Sequence, residues 1–309
     1  MKVAVAYAPA HITGFFAIHD EPEDLIKKGS RGAGFSLNAG STTTVTLYEK
    51  ENTKEGKIEI LINEHYSAAP VTRRLIELMI PKELIENVYL KIEHQLDFPV
   101  GAGFGMSAAG VLSAALALNT VFDLKYSFIK VAQFAHKAEV LERTGLGDVI
   151  AECYGKVEIR KKPGGPGFGE LDFIPTPEDL SVLTFSFGDI PTSQILMNAK
   201  SRMKINEIGD RLVDELIDEP TLDKFIELSK KFTNYTGLVT VEIRRALKLV
   251  EENRWMGSMI MIGNSFFILS REENIYRMKK IIEKTLNPMF ISINKISNEG
   301  AKLLRYYEQ

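Results

Sequence analysis

Cysteine is nearly absent from this chain. The one thiol, Cys153, has no second cysteine to pair with, so an intramolecular disulfide framework is excluded, as suits a reducing compartment. Its apolar helical surroundings predict a small buried hydrophobe. Long hydrophobic runs are missing too: no stretch approaches the about 18–20 apolar residues needed to span a bilayer. The apolar residues 3–8 are interrupted by Pro9, His11 and Thr13 too early for a secretory h-region, and the chain reads as cytosolic. A basic surplus is also lacking, since 38 Lys and Arg against 41 Asp and Glu give a formal charge of −3. Without a cationic run, nucleic acid is a poor candidate partner. Internal repeats, low-complexity tracts and heptads are not found.

What remains is 309 residues with 45 % hydrophobic and 26 % charged content, the composition of a globular enzyme with a sizeable core. Alternating β-branched residues predict strands at 2–7, 42–50, 57–62 and 88–96, the second and third joined as a hairpin through turn residues 52–56. Helical spacing follows at 71–79, stopped by Pro81, and at 111–121 and 128–142. A helical stretch at 148–154 and a strand at 156–161 come next. The segment 163–169 is too rich in Gly and Pro for regular structure. Beyond Pro175 and Pro177 the pattern gives strands at 182–187, 265–269 and 289–296, with helices at about 200–217, 222–234, 240–253 and 272–285. A β-rich half followed by an α+β half implies two domains, 1–178 and 179–309.

The stretch from Pro99 through Gly101, Ala102, Gly103, Gly105, Met106, Ser107 and Ala108 to Ala109 runs from strand to glycine loop to buried helix. Glycines before a helix expose backbone N–H groups, and the helix N-terminus favours phosphate. A Walker A loop is excluded, because Val111-Leu112 stands where Lys-Ser/Thr is required. A dinucleotide fingerprint fails because a helix, not a second strand, leads to Asp123. Glu139 and Asp148 supply a second constellation: one carboxylate on a helix and one after a glycine break. Such a pair can divide magnesium binding and proton acceptance between them. Glu142 competes with Glu139 for the metal role.

The loop resembles the P-x-x-x-G-L-G-S-S-A-A motif of the GHMP kinases, with Phe104 for Leu and Met106 for the first Ser. That resemblance implies an α+β, two-domain fold: a ribosomal protein S5 domain 2-like N-terminal half and a ferredoxin-like C-terminal half. It further implies ATP and Mg2+ as cofactors, Ser107 and Glu139 as magnesium ligands, Asp148 as the base, and a homodimer. His11, in Ala8-Pro9-Ala10-His11, stands where some members carry Lys. The third glycine motif, at 257–264, keeps only hints of the family pattern.

Within the superfamily, 9–16, 29–34, the Met106-containing loop, 145–151 and Arg160 with 163–167 are similar as a set to the archaeal pantoate kinases. The resemblance implies phosphorylation of a small hydroxy acid. A carboxylate substrate calls for arginine, and Arg160 and Arg31 are the candidates, with His11 and His136 as further substrate contacts. Shikimate, homoserine or mevalonate as acceptor, and a catalytically inactive GHMP-fold binding protein, remain the alternatives.

Overall fold

The structure, a computed structural model, describes residues 1–49, 57–86, 88–189 and 199–308. Its first sheet is organised by two long strands, β1 (Lys2–His19) and β2 (Gly29–Glu49), paired antiparallel along their whole length. Both exceed the strands expected from alternation, because Pro9, Gly14 and the glycines of 29–40 read as breakers. Register shifts at Pro9/His11 and Thr13/Phe15 absorb them as bulges. The far half of β2 pairs with β5 (Val88–Leu96), and the near half pairs with β6 (Val157–Lys162).

The expected hairpin does not form. β3 (Lys57–Ile62) lies parallel to β5, which separates it from β2; the turn residues 52–56 lie outside the described residues. Alternation identifies a strand but not its neighbour. Here α1 (Pro70–Met79) and α2 (Lys82–Ile85) carry the chain from β3 to β5, as parallel pairing requires a crossover. Two further strands went unforeseen: the short β4 (His65–Tyr66), paired to β3, and β7 (Glu170–Ile174), paired to β6. The helix α3 (Met106–Val121) packs against β1 and β2, and it is buried on nearly every side. Such a helix is apolar all round rather than striped. α4 (Phe128–Glu142) and the short α5 (Asp148–Glu152) pack beside it, and Cys153 is buried as expected.

The second sheet has order β11-β8-β10-β9, all antiparallel: β8 (Leu180–Ser186), β9 (Met256–Ile260), β10 (Ser265–Arg271) and β11 (Phe290–Lys295). Helices α6 (Ala199–Asp218), α7 (Leu222–Thr236) and α8 (Val241–Glu252) lie between β8 and β9 in the chain, and α9 (Glu272–Leu286) between β10 and β11. This is the ferredoxin-like β-α-β-β-α-β order, with extra helices in the first crossover. Neither β9 nor the final strand, β12 (Lys302–Glu308), was foreseen; β12 returns to the first sheet and pairs with β1.

Aromatic rings join the layers. Phe35 of β2 meets Phe267 of β10 edge-on at 5.1 Å and Phe225 of α7 at 6.1 Å, and all three are fully buried. Because this cluster ties both sheets together, Phe267→Ala is expected to cost about 3–5 kcal/mol. A urea midpoint lowered with an unchanged m-value will show it; an unchanged midpoint would mean the two sheets are not held together here.

Candidate active site

A cavity of about 680 Å³ runs along the N-terminus of α3. Its floor is the glycine loop. Gly101, Gly103 and Gly105 all have positive φ, 79°, 90° and 67°, a backbone shape that side chains disfavour. At Gly105 space is decisive as well: a Cβ there would fall 2.7 Å from Glu152 Oε1. The loop is pinned to β1 by the His11 amide, which donates to Phe104 O at 3.1 Å. Gly101, Gly103, Gly105, Met106, Ser107 and Ala108 line the cavity, whereas Ala102 is buried beneath it and Pro99 lies outside its lining.

The C-terminal half meets this loop by backbone packing. Ser265 Oγ donates to Ala102 O at 2.7 Å, and a Cβ on Gly263 would collide with the same carbonyl. Met261 and Ile262 reach the cavity wall, Ile262 with a φ of 61° that is rare for a β-branched residue. The contact uses a small residue at the end of the weak 257–264 motif, Gly263, and the hydroxyl of Ser265 just beyond it.

Over the helix N-terminus, Ser107 Oγ donates to Glu139 Oε1 at 2.5 Å, and Thr144 Oγ1 donates to the same oxygen at 2.7 Å. Burial pushes the Glu139 carboxyl up to about 7 despite these bonds, and Asp148 adds to the rise. A carboxylate and a hydroxyl brought together at a buried anion-binding helix end form a hard-oxygen donor set that fits magnesium. Glu142 also lines the cavity and accepts from Arg74 Nε at 2.9 Å. Gly145 permits the next approach: a Cβ there would lie 2.5 Å from Glu139 Oε2 and 3.1 Å from Asp148 Oδ2.

Asp148 begins α5, and its Oδ1 accepts from His11 Nδ1 at 2.8 Å. His11 Nε2 donates to Glu158 Oε1, also at 2.8 Å, and both His11 and Glu158 are fully buried. Burial alone would lower the imidazole pKa. The charge of Glu158 and the hydrogen bonds to both carboxylates overcome it, raising the pKa to about 9. His11 is therefore an imidazolium at neutral pH, with both ring nitrogens donating. For Asp148, burial opposes ionisation, but the hydrogen bond and charge of His11, with the charge of Arg160, hold its carboxyl below the ordinary range.

Arg160, on β6, is 1 % exposed. Its Nη1 donates to Glu158 Oε1 at 2.5 Å, and Nη2 reaches Thr13 Oγ1 only at 3.4 Å. Nε has no partner among the described residues. Nε lies beside Gly147 and is shielded from solvent, and Arg160 lines the cavity with Ser30. A guanidinium with an unpartnered Nε is a donor that matches a carboxylate.

Arg31 and His136 occupy different surroundings, and neither lines the cavity. Arg31 ties β2 to α6 through Asp210 at 3.0 Å and Asp214 at 2.6 Å. His136 is held near pKa 4 by burial, so it is neutral, and its Nε2 donates to the carbonyls of Leu25 and Lys28. That contact steadies the turn leading into Ser30. Sequence reasoning did not find Ser30, Glu158, Glu152 or His94. His94, at the far end of the cavity, bonds Thr43 at 2.8 Å and Thr72 at 3.1 Å, and burial keeps it neutral near pKa 4. Single polar residues inside strands, or at the end of the short α5 in the case of Glu152, do not reveal their role by spacing.

Glu152 is fully buried, and neither carboxylate oxygen has a partner among the described residues. Burial, with Asp148, Glu139 and Glu158 around it, pushes its carboxyl well above the ordinary 4.5. Below that value the folded and unfolded chains are both protonated and the shift costs nothing. As pH rises past it, the unfolded chain ionises first and stability falls. Glu152→Gln removes that loss, so its Tm is expected to exceed wild type by about 2–4 °C at pH 8 and to match it near pH 4. Scanning calorimetry at the two pH values decides; a gap of equal size at both would show that Glu152 is not held as a neutral acid.

Comparison with known proteins places this geometry. The profile of the GHMP kinases N-terminal domain matches residues 70–156, which contain the loop, Glu139 and Asp148. The chain is 35 % identical to the pantoate kinase of Thermococcus kodakarensis, covering 97 % of this chain and 98 % of that one. It is 34 % identical to the pantoate kinase of Methanocaldococcus jannaschii, over 93 % of this chain and 99 % of the relative. A solved structure described as a phosphotransferase related to the CoA biosynthesis pathway superposes with a TM-score of 0.87, at 32 % identity over 99 % of both chains. With identity at that level sustained from end to end, this chain belongs to the pantoate kinase family of the GHMP kinases.

Proposed function

We propose that the protein transfers the γ-phosphoryl group of ATP to the terminal hydroxyl of pantoate, giving 4-phosphopantoate and ADP. The observation that carries this reading is Arg160, which lines the same cavity as Asp148 and the glycine loop and whose buried Nε has no partner among the described residues. A small carboxylate held on Nε and Nη2 sets its distal hydroxyl toward Asp148. The apolar end of the cavity, with Ile62, Ala69 and Leu96 near His94, takes the nucleoside. The amides at the start of α3 and the helix dipole face the phosphates.

Asp148 accepts the hydroxyl proton as the oxygen–phosphorus bond forms and the bond to the β-phosphate oxygen breaks. His11 keeps Asp148 ionised beforehand and orients it through Oδ1. Ser107 and Glu139 would hold magnesium, which supplies charge neutralisation on the phosphates when bound. The closing packing of Met261 and Ile262 against the loop excludes water from that end.

The test is magnesium-dependent ADP release with D-pantoate, alongside mevalonate, shikimate and homoserine. Turnover confined to pantoate is expected; turnover on another alcohol alone would discard pantoate as acceptor. Asp148→Ala should lower kcat by about 10²–10⁴ while ATP binding, followed by calorimetry, stays within a few-fold. Near wild-type turnover would remove Asp148 from the mechanism.

A further inference from the structure

From the contacts of one buried oxygen we infer that Glu158 is a positioning residue that couples capture of the substrate carboxylate by Arg160 to the readiness of Asp148. The inference rests on the functional reading above and goes beyond it to a residue that touches neither substrate. Glu158 Oε1 accepts from His11 Nε2 at 2.8 Å and from Arg160 Nη1 at 2.5 Å. Its Oε2 is buried and has no partner among the described residues. The two cationic side chains therefore share a single acceptor, with Glu158 and Arg160 placed two residues apart on the same face of β6.

Sharing fixes two orientations at once. By occupying Nη1, Glu158 fixes the guanidinium with Nε unpartnered among the described residues and Nη2 in only a 3.4 Å contact with Thr13 Oγ1. By occupying Nε2 of His11, it leaves Nδ1 as the only ring donor directed at Asp148. His11 Nε2 and Arg160 Nη1 lie 3.4 Å apart, and both are donors. They tolerate that distance only because an anion sits between them. Any pull on Arg160 by a bound carboxylate is thus felt at the oxygen that also steadies His11. A residue serving only to neutralise buried charge would need no such shared contact, and its loss would not separate the two substrates.

The experiment is steady-state kinetics on Glu158→Gln, which keeps volume but places an amide opposite the two donors. The expected result is a KM for pantoate raised about tenfold or more and a kcat lowered about tenfold or more. The KM for ATP should stay within about twofold. Combined with Arg160→Lys the KM effects should be strongly non-additive, and combined with His11→Asn the kcat effects likewise. Glu158→Asp, which retains the charge, gives the same split with a smaller amplitude, and it serves should the Gln variant misfold. Wild-type parameters in a folded Glu158 variant, equal losses for both substrates, or additive cycles would each overturn the inference. A wild-type enzyme that leaves pantoate untouched would overturn the functional reading and this inference with it, whereas an active wild type with unaffected Glu158 variants sinks the inference alone.

Discussion

A cation buried between two carboxylates holds this site together. His11 has no exposed side-chain surface, and its charge survives there only because Asp148 and Glu158 each accept one of its ring N–H groups. Either partner alone would leave a desolvated donor opposite nothing, at a cost that buried ion pairs incur when broken. The three residues come from β1, α5 and β6, so the arrangement exists only when the first sheet and the short helix are docked together. A register shift between Pro9 and His11 falls in the same stretch of β1.

Negative charge is concentrated around that centre. Glu139, Asp148, Glu152 and Glu158 surround two cations, His11 and Arg160, and burial with the neighbouring carboxylates pushes the Glu152 carboxyl well above its ordinary range and that of Glu139 up to about 7. At the other end of the cavity the logic reverses. His94 is neutral and fully engaged with hydroxyls, Thr43 in turn bonds Ser113 of α3 at 2.6 Å, and the wall there suits an uncharged ring.

The legible parts of the site were those encoded in local spacing. The glycine loop with Ser107, the helix bearing Glu139 and the glycine break before Asp148 each lie within a short window, where backbone shape and helix-end electrostatics dictate residue type. Arg160 was legible as a charge near a turn, but its value comes from an unpaired edge that no spacing announces. Arg31 and Arg160 look equivalent in sequence. The structure gives one to Asp210 and Asp214 and leaves the other facing the cavity. Likewise the alternation of 42–50 and 57–62 was read correctly as strands and wrongly as neighbours, because pairing depends on where the α1 crossover delivers β5.

Taken alone, the sequence determined most of the longer elements, the α+β class, the glycine loop and the two carboxylates on either side of a glycine break. These follow from interactions a few residues apart, where periodicity and φ preferences act directly. Only the tertiary structure decided that His11 lies between two carboxylates, that Glu152 is buried without a partner among the described residues, and which arginine keeps an unpartnered Nε. Protonation and pairing in a buried site depend on the distances between β1, α5 and β6, whose members stand as many as 149 residues apart in the chain, and on how completely the packing removes water from between them.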